Sequence, residues 1–124
     1  MSLYASDYPR DVQFDAEFKA FFENFYKLSD TPGANEEYAA QFTENATLIM
    51  ASNKVVGRDD IRTMRAGMWD KVSSRRHYPT RIFPFGTSSD EVMLYGSVDY
   101  GMKDGSNASK DWAARAHLVK EGIK

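Results

Sequence analysis

The hydrophobic positions in the first quarter of the chain recur every three or four residues. They form an aromatic stripe from Phe14 to Leu28, with acidic and basic residues between them, and this spacing predicts an amphipathic helix. The proline and glycine of "SDTPG" end that helix, because neither residue suits a helix interior. A short second helix is predicted over "ANEEYAAQF", with Asn35 as its cap and with Tyr38 and Phe42 on one face.

The pattern then changes from helical spacing to alternation. "NATLIMASNKVVG" predicts two short strands joined by a turn at residues 52–53, because its β-branched residues suit an extended chain. "RDDIRTMRAGMWDKVSSR", residues 58–75, predicts a third helix with its acidic pair in the first turn. Three strands are predicted next, over residues 76–85, 91–100 and 111–121, separated by turns rich in Gly, Ser, Asp and Asn.

Helices gathered before strands predict an α+β fold, with the helices packed on one face of a bent antiparallel sheet. The length of 124 residues is that of one domain. We expect residues 1–13 to form an N-terminal arm and residues 14–124 to form a single domain. Both faces of the predicted strands carry apolar residues, which favours a homodimer through the sheet and leaves the inward face unassigned.

Composition removes several classes of function. The chain has no cysteine and a net charge of −2, which excludes disulfides and thiolate chemistry and gives no basic face for nucleic acid. No apolar run reaches the roughly 20 residues of a membrane span, and the first residues do not resemble a secretory signal. We therefore expect a cytoplasmic protein that binds neither membrane nor nucleic acid. No histidine and carboxylate spacing indicates a metal site, and no glycine loop indicates a phosphate-bearing cofactor.

The segment "EEYAAQFTENATLIMASNKVVGRDDIRTMRAGMW" resembles a recurring segment of the nuclear transport factor 2 (NTF2) superfamily, in its SnoaL-like branch. "DWAARAHLV" is similar to the penultimate strand of that family, and the likeness extends over residues 14–121. More loosely, the whole chain resembles small fungal SnoaL-like proteins. The resemblance implies a cone-shaped α+β fold with three helices packed on the concave face of a bent antiparallel sheet, enclosing a hydrophobic pocket.

That family closes with one more strand after a tight turn. Here "VKEGIK" looks like the turn, so we expect the final strand to be absent from this sequence. The loss of an inner strand predicts an unpaired sheet edge, which a partner could cover.

The candidate catalytic residues are His77 and Asp99. A catalytic histidine occupies a place similar to that of His77 in the related scytalone dehydratase, and Asp99 is the best carboxylate partner if its face points inward. A neutral imidazole beside a carboxylate can move protons. The candidate substrate-binding residues are Tyr26, Tyr38, Trp69, Phe83, Trp112 and His117.

Each position also has a simpler interpretation. His77 suits a solvated or capping residue, Asp99 an exposed strand end, and His117 a polar surface row with Arg115. The tryptophans suit a hydrophobic core. The basic pair before His77, at residues 75–76, favours either an anionic ligand or the carboxyl end of the third helix.

The resemblance implies two alternative functions. The first is a small-molecule pocket protein that isomerises, cyclises or dehydrates an apolar or polyketide-like compound by acid/base proton transfer, without a cofactor. The second is a non-catalytic ligand-binding or dimerisation module, because the fold alone does not decide the function.

Overall fold

The helices and strands follow the predicted order. A computed structural model describes residues 4–120, and its elements are α1 (Ala16–Ser29), α2 (Asn35–Ala39), β1 (Thr47–Met50), β2 (Asn53–Val56), α3 (Arg58–Gly67), β3 (Val72–Phe85), β4 (Glu91–Met102) and β5 (Asn107–His117). This mixture of helices and antiparallel strands confirms the predicted α+β class.

The strands form two separate antiparallel sheets. β1 and β2 make a hairpin, and β3, β4 and β5 make a three-stranded sheet in that order. The β4–β5 register runs without interruption from Glu91 opposite His117 to Gly101 opposite Asn107. β3 and β5 are therefore the two edge strands of the larger sheet.

Two hydrophobic clusters hold the layers together. The larger one lies between α1 and the three-stranded sheet, and its buried members are Phe22, Tyr26, Ile82, Val92, Leu94 and Leu118. The smaller one joins α2, α3 and the hairpin around Tyr38, Ala39 and Ile61. Phe25 packs against both clusters, so α1 connects the sheet to the hairpin. The aromatic stripe of α1 is thus core, as its spacing indicates.

The third helix is shorter than predicted. It ends at Gly67, and the chain then turns through hydrogen bonds from Trp69 N to Ala66 O and from Asp70 N to Gly67 O. β3 already begins at Val72, which pairs with Met102 of β4. Residues 72–75 therefore pair with β4 as a strand, although their spacing predicts a helix. The basic pair at residues 75–76 therefore belongs to a strand, and its assignment to a helix end is wrong.

A β-bulge reverses the faces of β3 halfway along the strand. The register with β4 shifts between Pro79 and Arg81, which inserts one residue on the β3 side. Because side chains alternate with a period of two, this insertion moves every later residue to the opposite face. Ile82 is consequently buried and Phe83 exposed, whereas uninterrupted alternation places Phe83 on the same face as His77.

The described part of the predicted N-terminal arm lies along the edge of β3 at this bulge. Asp7 N donates to Thr80 O at 2.9 Å, and Ile82 N donates to Asp7 O at 3.1 Å. Ser6 Oγ donates to Pro79 O at 2.7 Å. The arm thus satisfies backbone groups that the bulge and the sheet edge leave open.

At the other end of the chain, Lys120 Nζ lies 2.6 Å from Asp15 Oδ2. The predicted closing turn extends over residues 119–124, of which 121–124 lie outside the described residues. In the part that is described, no helix is long and apolar enough to cross a membrane.

Candidate functional site

His77 is held by Asp30, a residue 47 positions earlier in the chain. His77 Nδ1 lies 2.5 Å from Asp30 Oδ1, and the His77 backbone N–H donates to Asp30 Oδ2 at 2.8 Å. The Tyr4 hydroxyl donates to the same Oδ2, also at 2.8 Å. The Asp30 side chain is only 5% exposed and that of His77 14%. This His77–Asp30 pair is an oriented imidazole and carboxylate, shielded from most of the solvent.

The position of Asp30 follows from the end of α1. Asp30 is the C-cap residue of that helix, and its backbone N–H donates to Tyr26 O. The turn that begins at Asp30 brings its carboxylate against the inner face of β3. A carboxylate at the carboxyl end of a helix is disfavoured by the helix dipole, so three hydrogen-bond donors at this position compensate for an unfavourable location.

Aromatic rings surround His77. The centroid of the Tyr26 ring lies 5.3 Å from that of His77 and 5.2 Å from that of Trp112, and the His77 and Trp112 centroids are 5.8 Å apart. Trp112 Nε1 donates to Ser97 O at 2.9 Å, which fixes the indole. Three of the residues selected from the sequence, His77, Tyr26 and Trp112, are therefore brought together.

Asp99 does not approach His77. His77 is opposite Val98 in the β3–β4 register, and directly opposed residues share a face, so the next residue along β4 points the other way. Asp99 is exposed and accepts a hydrogen bond from Ser109 Oγ at 2.7 Å. The Asp99 side chain does not point inward, so the predicted His77–Asp99 pair does not form.

His117 and Phe83 also lie on the outer face of the sheet. His117 is exposed, with Nε2 3.4 Å from Asp90 Oδ2. Phe83 stacks on Tyr95 with a centroid distance of 6.1 Å. Neither side chain shares the inner face with His77, because β5 alternates regularly and β3 is reversed by its bulge.

Tyr38 and Trp69 belong to a second group beside the pair, in which buried and half-buried aromatic rings lie against the side chains of Arg65 and Arg75. Trp69 lies under two guanidinium groups, those of Arg75 at 4.6 Å and Arg65 at 5.2 Å from its ring centroid. The Arg65 guanidinium is also 5.6 Å from the Tyr38 ring centroid. Burial lowers the pKa of both arginines. Trp69 Nε1 and Arg75 Nε are buried donors without a hydrogen-bond partner in the described chain.

Arg65 anchors the turn that carries Asp30. It is 1% exposed, and its Nη2 donates to Leu28 O at 3.0 Å and to Thr31 O at 2.5 Å. Its Nη1 donates to Asn35 Oδ1 at 2.7 Å. Asn35 therefore does not cap α2. Ala34 occupies the N-cap position instead.

The buried tyrosines of this region resist ionisation. Burial raises the pKa of Tyr38 to about 12, and burial together with the hydrogen bond to Asp30 raises that of Tyr4 to about 12. Burial also raises the pKa of Tyr26 well above its usual value. These hydroxyl groups are neutral at physiological pH and act as hydrogen-bond donors and acceptors.

We expect this to make the fold sensitive to alkali. Between pH 10 and about 12 an unfolded tyrosine loses its proton while folded Tyr38 keeps it, so the unfolded state binds fewer protons and the free energy of unfolding falls as pH rises. Tyr38 alone contributes a loss of about 1.4 kcal/mol per pH unit in this range. Urea titrations at several pH values measure the slope, and Tyr38→Phe should reduce it. An equal slope in Tyr38→Phe would contradict the assignment.

A groove of about 440 Å³ lies at one end of the larger sheet, lined by residues 74–76, 99–101 and 107–109. It includes Asp99 but not His77, so the groove and the His77–Asp30 pair are different places. Within residues 4–120, no three His, Asp or Glu side chains are grouped closely enough to hold a metal ion.

Sequence reasoning missed Asp30, Tyr4 and Arg65, whereas it considered Arg75 as one of the basic pair before His77. Asp30 lies in "SDTPG", a stretch in which the Pro and Gly indicate only a turn. Its one sequence signal is an acidic residue at a helix end, where the dipole disfavours it. Such an unfavourable placement can indicate a functional carboxylate, although it does not identify the partner.

No protein-family model matches the sequence, and no curated protein matches it. Solved structures do match the fold. An NTF2-like protein of unknown function from Exiguobacterium sp. 255-15 is 18% identical, with a TM-score of 0.67 over 79% of this chain and 86% of its own.

Two proteins of Novosphingobium aromaticivorans are similar as well. One is described as a candidate aromatic ring hydroxylase, with 19% identity and a TM-score of 0.69 over 89% of this chain and 85% of its own. The other is described as a candidate scytalone dehydratase, with 15% identity and a TM-score of 0.53 over 86% of this chain and 87% of its own. The chain therefore has the NTF2-like fold.

Proposed function

We propose that this chain is a small-molecule pocket protein in which the His77–Asp30 pair transfers protons without a cofactor. The observation that carries the proposal is the 2.5 Å contact between His77 Nδ1 and Asp30 Oδ1, made by a carboxylate that is almost fully buried. A buried carboxylate that orients an imidazole is a recurring arrangement for general acid/base chemistry.

In this proposal the two nitrogens of the His77 ring have separate tasks. In the tautomer that donates from Nδ1–H to Asp30, the lone pair of the ring is on Nε2. Nε2 makes no hydrogen bond within residues 4–120. It is the atom that takes a proton from a bound molecule and returns it at another position. Removal and return of one proton is an isomerisation, and delivery of the proton to a leaving hydroxyl is a dehydration.

The surroundings favour a ring compound that carries oxygen. Tyr26 and Trp112 provide aromatic walls beside His77. Trp69 Nε1 and Arg75 Nε are buried donors without a partner in the described residues, and buried donors are normally paired. A carbonyl or hydroxyl of the ligand would satisfy them. An apolar or polyketide-like compound has this combination of rings and oxygens.

The proposal includes three further features that the sequence predicts. They are a cone-shaped enclosure between the sheet and the helices, a relationship to the SnoaL-like branch, and a cytoplasmic location. Two proteins of similar structure, a candidate ring hydroxylase and a candidate scytalone dehydratase, are both described as acting on small molecules. They support a small-molecule ligand more than a protein ligand.

The alternative function, a non-catalytic binding or dimerisation module, has an observation of its own. Large apolar side chains are exposed on the outer face of the sheet, namely Phe83, Phe85, Met93 and Tyr95. Such a patch is typical of an interaction surface. It is separate from the His77–Asp30 pair, so this function and the first are compatible.

Binding of small molecules is tested with a panel of phenols, aromatic ketones and reduced polyketide analogues. Thermal shift identifies ligands, and the imidazole NMR signals of the two histidines locate them. We expect hits to move the His77 signals and to leave those of His117 unchanged. His77→Gln and Asp30→Asn should each weaken binding at least tenfold, whereas His117→Gln should have no effect.

Turnover of each hit is then measured by mass spectrometry and chromatography. An isomerisation changes the compound without changing its mass, and a dehydration lowers the mass by one water. Hits that bind His77→Gln as tightly as the unaltered protein would contradict the role of the pair. Binding that depends on His77 without any turnover would support the non-catalytic alternative.

A further inference from the structure

The two arginines beside Trp69 carry positive charges that no carboxylate of the described chain neutralises. Arg65 is 1% exposed and Arg75 is half-buried. Within residues 4–120 neither guanidinium forms an ion pair. Burial, and then the charge of Arg75, lower the pKa of Arg65. Because buried charges in proteins are normally paired, an anion from outside the chain would be strongly stabilised here.

Hydrogen bonds distinguish the two arginines. Arg65 donates to four oxygens at the end of α1 and the start of α2, namely Leu28 O, Ser29 O, Thr31 O and Asn35 Oδ1. In the described chain Arg75 makes one hydrogen bond, from Nη2 to Met68 O, and its Nε is buried without a partner. A guanidinium has five N–H donors. Arg65 is therefore occupied by the protein, whereas Arg75 can bind a ligand.

Arg75 points to the same side of the sheet as His77. The two residues are two positions apart in β3, and their register with β4 is regular, since Arg75 pairs with Tyr100 and His77 with Val98. Two strand positions span about 6.6 Å, which is close to the width of a substituted ring. The Arg75 guanidinium also lies 4.6 Å from the centroid of Trp69, whose Nε1 is a second buried donor without a partner.

The charges around His77 favour a negatively charged ligand. With a neutral imidazole, the two guanidiniums of Arg65 and Arg75 outnumber the one buried carboxylate of the site, Asp30. That carboxylate already accepts hydrogen bonds from His77 and Tyr4. A neutral ligand leaves the excess positive charge in place, whereas a monoanion neutralises it.

We propose that the ligand of this site carries a carboxylate, which Arg75 binds through Nε–H and Trp69 through Nε1–H. The proposal rests on the proposed function and adds the charge of the substrate, an aromatic or polyketide-like acid. The carboxylate is held about one ring away from the atom that exchanges a proton with His77 Nε2. A planar carboxylate fits a guanidinium better than a single hydroxyl does, because it can accept two parallel hydrogen bonds.

The other arginine of the basic pair takes no part in this site. Arg76 lies on the opposite face of β3, with its guanidinium 4.0 Å from the ring centroid of Tyr4 and 4.5 Å from that of Tyr78. The carboxylate site therefore combines one member of the pair with Trp69, which follows α3, and with the charge of Arg65 behind it.

Cinnamate and methyl cinnamate test the charge, because they share a ring and a chain and only the first is an anion. Calorimetric titration should show that cinnamate binds about tenfold or more tightly than the ester. Arg75→Met should reduce this preference to about twofold or less. Arg75→Lys keeps the charge without the fork and should retain part of it. Arg81→Met removes an exposed arginine of the same strand and should leave the preference unchanged.

The stability of the protein without ligand gives an independent measurement. Arg75→Met removes an unpaired, half-buried charge, so the melting temperature should stay the same or rise. Arg65→Met should lower it, because the Arg65 hydrogen bonds hold the turn after α1. A melting temperature that falls as far in Arg75→Met as in Arg65→Met would give Arg75 a purely structural role and overturn the proposal.

Failure of the carboxylate site can be distinguished from failure of the proposed function. An ester that binds as tightly as the acid and moves the His77 NMR signals overturns the carboxylate site and leaves the role of the His77–Asp30 pair intact. A preference for the acid that is lost in Arg75→Met supports the carboxylate site, even when no turnover of any ligand follows. A preference that Arg75→Met and Arg81→Met reduce equally, or the absence of binding by both probes, overturns the proposal.

Discussion

Replacement of Arg65 by methionine is expected to lower the free energy of unfolding by about 3 kcal/mol or more. The guanidinium donates to the carbonyls of Leu28, Ser29 and Thr31 and to Asn35 Oδ1. Methionine fills similar volume but removes these hydrogen bonds. Leu28 O and Thr31 O still accept from the backbone N–H groups of Thr31 and Ala34. Ser29 O and Asn35 Oδ1 lose the Arg65 donor, and each acceptor left unpaired costs about 1–3 kcal/mol. Urea denaturation followed by circular dichroism measures the change.

The same substitution should disturb the His77–Asp30 pair, although Arg65 donates a side-chain hydrogen bond to neither residue. Arg65 fixes the carbonyls on both sides of Asp30, so its loss frees the turn that orients the carboxylate. We expect the His77 imidazole NMR signals to shift or broaden in Arg65→Met while those of His117 stay unchanged. Arg65 is in this sense a positioning residue.

Two controls separate this effect from a general loss of charge. Arg65→Lys keeps the charge but lacks the forked donor set, so it should recover less than half of the lost stability. Arg62→Met removes a half-buried guanidinium of the same helix, which pairs with the exposed carboxylates of Glu36 and Asp59, and should change stability by about 1 kcal/mol or less. Equal losses in Arg62→Met and Arg65→Met would disprove the anchoring role.

Replacement of Gly96 by alanine is expected to destabilise the sheet by about 3 kcal/mol. A Cβ atom at Gly96 would lie 2.1 Å from the carbonyl oxygen of Tyr78 and 3.0 Å from Cα of Pro79. Both contacts are with backbone at the β3 bulge, which cannot move away without breaking strand pairing. Forcing extra volume into a packed interior costs about 1–3 kcal/mol and occasionally more.

Gly101→Ala is the matched control on the same strand. Its Cβ would meet the Ser74 hydroxyl at 2.5 Å, and a serine side chain can rotate away. We expect a loss of about 1 kcal/mol or less, measured by thermal and urea unfolding. A similar loss for Gly96→Ala and Gly101→Ala would show that the backbone at the bulge yields easily and does not fix the faces of β3.

The order of the helices and strands and the fold class follow from the sequence alone. The aromatic stripe of α1, the breaker "SDTPG" and the turn-rich gaps between the last three strands all predict features that the structure contains. These are local properties, because the hydrophobic period and the residues at turns depend on neighbours within a few positions. The sequence also identified His77, Tyr26 and Trp112 as candidate site residues, because each could be placed within a predicted helix or strand.

Which side chains contact each other in the site depends on tertiary packing. The sequence pattern paired His77 with Asp99, but β-strand alternation directs them to opposite faces, and the carboxylate comes from Asp30 at the end of α1. The bulge between Pro79 and Arg81 places Phe83 on the outer face of the sheet. Pairing with β4 makes β3 begin at Val72, earlier than the sequence predicts. Contacts between distant residues depend on packing and register across elements. A one-residue insertion moves every later side chain of a strand to the opposite face of the sheet. The hydrophobic pattern of β3 does not predict this insertion.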